Sequence, residues 1–466
     1  MTLAEIAEAV GGELRAAPPG AVVTAPAVAD SRKAGPGCLF VADRGGHQFA
    51  ADAVRRGAVA VLASEELPGV PTVLAPPAPD RPVDASVVAL GRLARLVAGR
   101  LVDATVIAVT GSQGKTTTKD LMAQVLAGAG PTVAPDASLN NELGVPLTVL
   151  RADEETRYLV LEMGARRVGH IRYLTQIVPP DISVVLNVGL AHVGEFGSRQ
   201  ATARAKAEIV EALLDDGLAI LNGDDPLVRA MAERTTAPSV LVGESADAAV
   251  RADKVWLDDG GRPTFELITP HGSAQVRLNL VGRHHVANAL AAAAVGLAVG
   301  MDLRHVTERL SAAVALSRWR MEVAERADGV TILNDAYNAN PDSMRAALQA
   351  LPALARGRRT WAVLGEMLEL GPASAEEHEA VGRLAAQLDV SRLVVVGAGA
   401  REIERGARSE GLKGTVLADD AAQALKHLRR RLRPGDVVLV KSSRDAGLRY
   451  LGDALSTGSD TLEGRE

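Results

Sequence analysis

The chain has a single cysteine, no excess of positive charge and no long uninterrupted apolar run. Cys38 alone can form neither an internal disulfide nor a cysteine-based zinc site, so it reads as a small buried hydrophobe. A formal net charge of −6 argues against the broad basic surface that nucleic-acid binding through phosphate contacts needs. Any phosphate handled here therefore belongs to a small molecule. Nothing approaches the roughly 20 consecutive apolar residues that span a bilayer, and the alanine-rich stretch VANALAAAAVGLAVG from Val286 reads as a buried helix. The N-terminus, MTLAEIAEAVGGEL, has the pattern of a short amphipathic helix and lacks the layout of a secretory signal. A cytoplasmic protein with no membrane span is expected.

With 466 residues, 47% of them hydrophobic and 23% charged, the chain has a globular composition but too much length for one core. Roughly three units of about 100 to 200 residues are expected. The run PGVPTVLAPPAPDRPVD reads as a linker that can continue neither a helix nor a central strand, which places a first boundary near Pro82. From there to Ser317, short β-rich apolar runs (TVIAVT, YLVLEMGA, ISVVLNVG, LAILNGDD) alternate with amphipathic helices, the pattern of a mostly parallel sheet covered on both faces. A second alternating series starts near Arg318 with TILNDA, RTWAVLGE, RLVVVGAGA, TVLA and DVVLVKSS. The fold class is α/β with domains at 1–82, 83–317 and 318–466, and a cleft between the last two. The polar tail STGSDTLEGRE is expected to fray.

In AVTGSQGKTTT a strand runs into Gly111, Ser112, Gly114, Lys115, Thr116 and Thr117, and a helix follows with Leu121, Met122, Val125 and Leu126 on one face. Glycines there let backbone N–H groups point at phosphate, and the helix N-terminus adds positive potential. Lys115 can reach the β and γ oxygens, and the Thr116 hydroxyl can coordinate Mg²⁺. The spacing is two residues shorter than the full Walker A pattern. At later strand ends lie Glu162, a candidate oxygen ligand for the same Mg²⁺, and then Asn187 and His192. Lys206, in TARAKAEIV, by itself reads as a solvated helix residue. Asn340 and its neighbours in N-A-N-P form good turn chemistry.

The ordered segments GSQGKTTT, LNNELGVPLTVL, LEMGA, LNVGLAHVGEFGS, AKAEI, GRHHVANALAAAA, DAYNANPDSM, VLGEMLELG and VLVKSSR together resemble the motifs of the Mur ligases. The resemblance runs from Asp30 to about Arg444. It implies a nucleotide-sugar-binding N-terminal domain, a central P-loop ATPase-like domain and a Rossmann-like C-terminal domain. It also implies an ATP-dependent amide ligase that builds peptidoglycan precursors from two small molecules, UDP-N-acetylmuramoyl-tripeptide and D-alanyl-D-alanine, by way of an acyl phosphate. The protein is expected to work as a monomer.

The resemblance also implies the roles of individual residues. Lys115 and Thr116 would hold phosphate and one Mg²⁺. Glu162 and His192 match metal positions, and Lys206 matches a carbamoylated lysine that holds a second Mg²⁺. Asn288 would lie near the adenine, and Arg320 and Asp335 near phosphate and ribose. Substrate would meet Ser31 and Arg32 in the N-terminal domain, Asn140 and Asn141 in the central one, and Tyr337, Asn338, Asn340 and Ser343 in the C-terminal one. Three positions depart from the family pattern: a shortened turn DRGGHQF with Gly45 where an aspartate is usual, Glu366 for aspartate, and Ser442 for glycine.

Two other readings stay open from the sequence: a Mur-like ligase recruited to another carboxylate or amine, and a nucleotide-binding homologue without turnover. A kinase is disfavoured, because no recognisable kinase motif supplies a catalytic aspartate beside a hydroxyl acceptor.

Overall fold

The computed structural model describes residues 1–80, 83–189 and 193–462; Pro82 and His192 lie outside them. Three sheets order the chain. The N-terminal sheet runs β1 (Glu13–Arg15), β4 (Thr72–Leu74), β3 (Ala60–Ala63), β2 (Leu39–Val41), parallel except where β1 meets β4. Its first helix, Leu3–Val10, starts at a capping box: Thr2 Oγ1 accepts from the Glu5 N–H and the Glu5 carboxylate accepts from the Thr2 N–H. Cys38 is buried and unpaired, as its solitude in the sequence requires.

The proline-rich stretch is not only a linker. Strand β4 forms inside it and lies between β1 and β3, an inner position. The prolines do not prevent this, because Pro71 precedes the strand and Pro76 follows it, so none removes a ladder donor; Pro71 even contributes its carbonyl to the Val61 N–H. Beyond it, the helix Ala85–Ala98 buries Ala89, Leu90 and Leu93 in the N-terminal core and Ala94 in the next one. A single helix thus joins the two cores near the expected boundary.

The central sheet has nine strands: β5 (Thr105–Thr110), β6 (Thr132–Val133), β7 (Tyr158–Glu162), β8 (Ile182–Val185), β9 (Leu218–Asn222), β10 (Ser239–Gly243), β11 (Val250–Leu257), β12 (Pro263–Thr269) and β13 (Gly272–Arg277). Their order is β13-β12-β11-β10-β9-β8-β5-β7-β6, parallel from β6 through β11 and closed by antiparallel β12 and β13. Alternate residues of β5 face opposite layers: Ile107 and Val109 belong to one apolar cluster and Ala108 to the other. The alanine-rich segment is the buried helix His285–Ala298. Strand β5 sits between β7 and β8, so the chain leaves it to opposite sides in succession. Its carboxyl end is the switch point where α/β sheets open a crevice.

The C-terminal sheet contains β14 (Glu322–Glu325), β15 (Thr331–Asn334), β16 (Thr360–Leu364), β17 (Arg392–Val396), β18 (Thr415–Ala418) and β19 (Val437–Lys441), in the order β14-β15-β19-β16-β17-β18. All pairs but β14–β15 are parallel. The tail expected to fray begins within the last helix, Leu448–Thr457, and Leu462 packs on the core, held near Arg429, which bonds the Gly458 carbonyl. Its polar residues serve as helix end and anchor, which polarity alone does not disclose. Among the described residues no helix is long and apolar enough to cross a membrane.

Candidate active site

Because β5 ends at the switch point, the loop 111–114 emerges there and leads directly into the helix Lys115–Leu126. Gly114 adopts φ +80°, and a Cβ on it would stand 2.6 Å from Asn288 Oδ1. Both the backbone angle and the space therefore demand glycine. Asn187, at the end of the neighbouring strand, braces the loop: its Oδ1 accepts from the N–H groups of Ser112 (2.9 Å) and Gln113 (3.0 Å), and its Nδ2 donates to the Gln113 carbonyl. The Ser112 hydroxyl accepts from the Gly189 N–H at 2.9 Å. Lys115 folds back so that its Nζ donates to the Gly111 carbonyl at 2.8 Å. Burial, with the Arg320 charge nearby, holds the Lys115 pKa below the usual lysine value, and Glu162 acts against the shift. An anion at the loop would restore the ammonium.

Glu162 is the last residue of β7 and pairs in register with Val109 of β5, which brings its carboxylate to the foot of the loop. Thr116 Oγ1 donates to Glu162 Oε2 at 2.9 Å, while Ser138 Oγ (2.7 Å) and Asn140 Nδ2 (2.6 Å) donate to Oε1. Asn140 thus supports the carboxylate. Asn141 caps the helix Gly144–Val149 through the Gly144 N–H at 2.9 Å. Ser138 escaped the sequence reading, though it stands immediately before the LNN motif. Lys206 is 3% exposed on the helix Arg199–Glu211 and forms no hydrogen bond or ion pair with any described residue. Burial, with a further push from Lys115, drives its pKa well below the ordinary lysine value, so its amine is suited to the neutral form. A solvated surface lysine is excluded at this position.

The C-terminal domain closes over this group. Arg320 Nη2 donates to Thr116 Oγ1 at 3.1 Å, and the guanidinium carbon lies 4.2 Å from the centre of the Tyr337 ring. Arg320 Nε is buried and has no hydrogen-bond partner among the described residues. A buried orphan donor beside a phosphate loop is what an anionic ligand would satisfy, and the chemistry of Lys115, Thr116 and Arg320 fits a nucleotide phosphate. The residues flanking Arg320 are both left-handed, Trp319 at φ 58° and Met321 at φ 52°. Tertiary contacts impose this: Asp335 Oδ1 accepts from the Met321 N–H (3.0 Å), and Asp453 accepts from Trp319 Nε1 (3.0 Å).

Asp335 follows β15, and its Oδ2 accepts from Lys441 Nζ at 2.5 Å. Lys441 also donates to the Asn338 carbonyl at 3.0 Å, fixing the turn after Tyr337. The sequence reading did not single out Lys441, although a lysine ending the buried run VVLVK was a usable signal. The rings of His284 and His285 meet at 4.1 Å, tilted by 47°, and His284 feels the charges of this pair. Burial takes the His284 pKa down to about 4, with Lys441 lowering it further and Asp335 opposing. His285 is likewise pushed well below its usual value, and its Nδ1 meets Asn288 Nδ2 at 3.1 Å.

The substrate candidates are not all gathered in one place. Asn340 and Ser343 form a reciprocal capping box at the start of the helix Pro341–Ala355, each accepting the other's N–H. Ser31 is buried at the start of a short turn, and Arg32 pairs with Asp30 at 2.7 Å. The trimmed turn after β2 is closed by the Gly46 N–H on the Asp43 carbonyl (2.7 Å) and by His47 Nε2 against Ser64 Oγ (3.2 Å). The longer Glu366 is accommodated because its carboxylate packs on Gly399, where a Cβ would collide with it. Among the described residues no group of three or more His, Cys, Asp or Glu side chains could hold a metal ion.

Comparison with known proteins gives a concordant result. The description Mur ligase middle domain matches residues 109–296, and Mur ligase, glutamate ligase domain matches 319–444. The UDP-N-acetylmuramoyl-tripeptide--D-alanyl-D-alanine ligase of Mycobacterium tuberculosis is 49% identical over 98% of this chain and 97% of its own. The enzyme of that name from Escherichia coli is 35% identical over 98% of both. Among solved structures, MurF from Acinetobacter baumannii superposes with a TM-score of 0.84 at 32% identity over 98% of each chain. MurF from Thermotoga maritima in complex with ADP gives 0.78 at 30% identity, over 95% of this chain and 99% of its own. The chain belongs to the Mur ligase family, in the branch of the UDP-N-acetylmuramoyl-tripeptide--D-alanyl-D-alanine ligases.

Proposed function

We propose that this chain is a cytoplasmic, monomeric, ATP- and Mg²⁺-dependent amide ligase that joins D-alanyl-D-alanine to UDP-N-acetylmuramoyl-tripeptide in peptidoglycan precursor synthesis. Relatives named for that reaction at up to 49% identity support the reading. So does the hydrogen bond from Arg320 to Thr116, which brings C-terminal charge onto the phosphate loop. A carboxylate is a poor electrophile until one oxygen becomes a phosphate. Transfer of the γ-phosphoryl group supplies that activation and leaves an acyl phosphate, which the dipeptide amine attacks with loss of inorganic phosphate. Lys115, Arg320 and the loop N–H groups neutralise charge at the transferring group, and positioning does the remainder.

The domains divide at about residues 82 and 317. Thr116, Glu162, His192 and a carbamate on Lys206 would hold Mg²⁺, which supplies further charge neutralisation. Burial lowers the Lys206 pKa and so favours the free amine, the form that reacts with CO₂, and its side chain pairs with no described residue, which supports the carbamate. Asn288, Arg320 and Asp335 face the nucleotide. Ser31, Arg32, Asn140, Asn141, Tyr337, Asn338, Asn340 and Ser343 stand as the substrate-side residues. Of these, Asn140, Asn141, Asn340 and Ser343 act by shaping the backbone and Glu162 around the cleft.

ADP release tests the reading when each substrate is omitted in turn. Release that depends on the tripeptide nucleotide and D-alanyl-D-alanine together is expected. Equal release without either acceptor would reduce the protein to an ATPase.

A further inference from the structure

The Tyr337 ring has two guanidinium groups near its centre, and they have different commitments. Arg320 stacks 4.2 Å from the ring centre and is tied to Thr116. Arg444 lies 5.8 Å from the same centre. It is exposed at the start of the turn that follows β19, three residues beyond Lys441. Its carbonyl accepts from Arg449 Nη1, but its guanidinium forms no ion pair with any described residue. Arg318, by contrast, pairs with Asp453, and Arg166 with Glu369.

An exposed guanidinium near an aromatic ring, with no acid partner among the described residues, is matched to a planar anion. In the proposed reaction the phosphates have Lys115, Thr116 and Arg320. Besides these the reaction brings in the anionic groups of the tripeptide nucleotide and the C-terminal carboxylate of the dipeptide, and Tyr337, in the substrate-side motif of the C-terminal domain, favours the dipeptide's. The dimensions agree. Both guanidinium carbons are measured to one ring centre, so they lie no more than about 10 Å apart, and an extended dipeptide spans about 7 Å. An amine attacking beside Arg320 leaves its carboxylate within reach of Arg444.

We propose that Arg444, with the Tyr337 ring beside it, binds the C-terminal carboxylate of the amine substrate and selects a free acid over an amide. The proposal rests on the ligase reading above. The test compares D-alanyl-D-alanine with its C-terminal carboxamide, using the wild type and Arg444→Gln. The wild type favours the acid by about 10- to 100-fold in kcat/KM, mainly through KM, the range expected of one charge-assisted pair. In Arg444→Gln the KM for the acid rises to that for the amide while the KM for ATP is unchanged, and Arg444→Lys recovers part of the preference.

A wild type that uses both dipeptides equally, or an Arg444→Gln variant that keeps the preference, overturns this proposal and leaves the ligase reading standing. A variant whose KM for ATP rises as much as that for the acid also overturns it, placing Arg444 at the nucleotide. Failure of the wild type to make product from either dipeptide overturns the ligase reading and this proposal together.

Discussion

Arg320 of the C-terminal domain donates a hydrogen bond to the Thr116 hydroxyl of the phosphate loop across 3.1 Å. Thr116 in turn donates to Glu162 at 2.9 Å. One threonine hydroxyl thus joins two domains and the candidate metal carboxylate, and the two left-handed residues around Arg320 show how firmly that arginine is held. Assembly of the site is therefore expected to accompany closure of the domains.

Replacing Arg320 by alanine removes both the link and a positive charge. A fall of about a hundredfold to a thousandfold in kcat/KM is expected, the range for losing one preorganised charge-stabilising group. Steady-state kinetics measures it. Solution scattering with nucleotide and tripeptide substrate is expected to show a contraction in the wild type that this variant lacks; equal contraction in both would separate closure from Arg320.

Gly114→Ala places a Cβ at φ +80°, a strain of roughly 1 to 2 kcal/mol, and forces Asn288 away from its 2.6 Å approach. The expected result is a raised dissociation constant for ATP with little loss of overall folding. Nucleotide titration by calorimetry reads the first, and a thermal melt the second.

Lys206→Ala is expected to abolish turnover in a way that bicarbonate cannot restore, whereas short carboxylic acids restore part of it. Burial lowers the Lys206 pKa and so favours the free amine that attacks CO₂, and a carbamate decomposes on acidification. Wild-type activity should therefore fall after incubation at low pH without CO₂ and return on adding bicarbonate at neutral pH. Full activity in Lys206→Ala would remove the carbamate from the mechanism.

His284 sets a pH dependence of stability. Its folded pKa, about 4, is below the ordinary value of 6.5, so between those limits the unfolded chain binds a proton that the folded chain refuses. Stability is full above about pH 6.5 and declines as pH falls toward 4. His284→Asn is expected to flatten that limb of a plot of melting temperature against pH; an unchanged slope would assign the acid sensitivity elsewhere.

Much of the phosphate half of the site was legible in the sequence because it depends on local patterns. A strand entering Gly-x-x-Gly-Lys-Thr fixes the loop, and apolar β-rich runs fix the parallel order that lines up Glu162 beside it. What escaped depends on tertiary pairing. The flanking prolines concealed β4, since three residues show no period. The hairpin strands β12 and β13 broke the alternation that had indicated a parallel sheet. Lys206 taken by itself read as solvated, because nothing local reports that the helix Arg199–Glu211 buries that face, and only the family resemblance gave it another role. Asn340 and Ser343 read both as turn and as substrate contact, and their side chains proved to cap a helix.

The most direct test of the central claim is mass spectrometry of a reaction containing the protein, ATP, Mg²⁺, UDP-N-acetylmuramoyl-tripeptide and D-alanyl-D-alanine. A nucleotide with the mass of the pentapeptide product, formed together with ADP, is the expected result. Absence of that product, from protein that still binds ATP, would contradict the assignment of this carboxylate and this amine as its substrates.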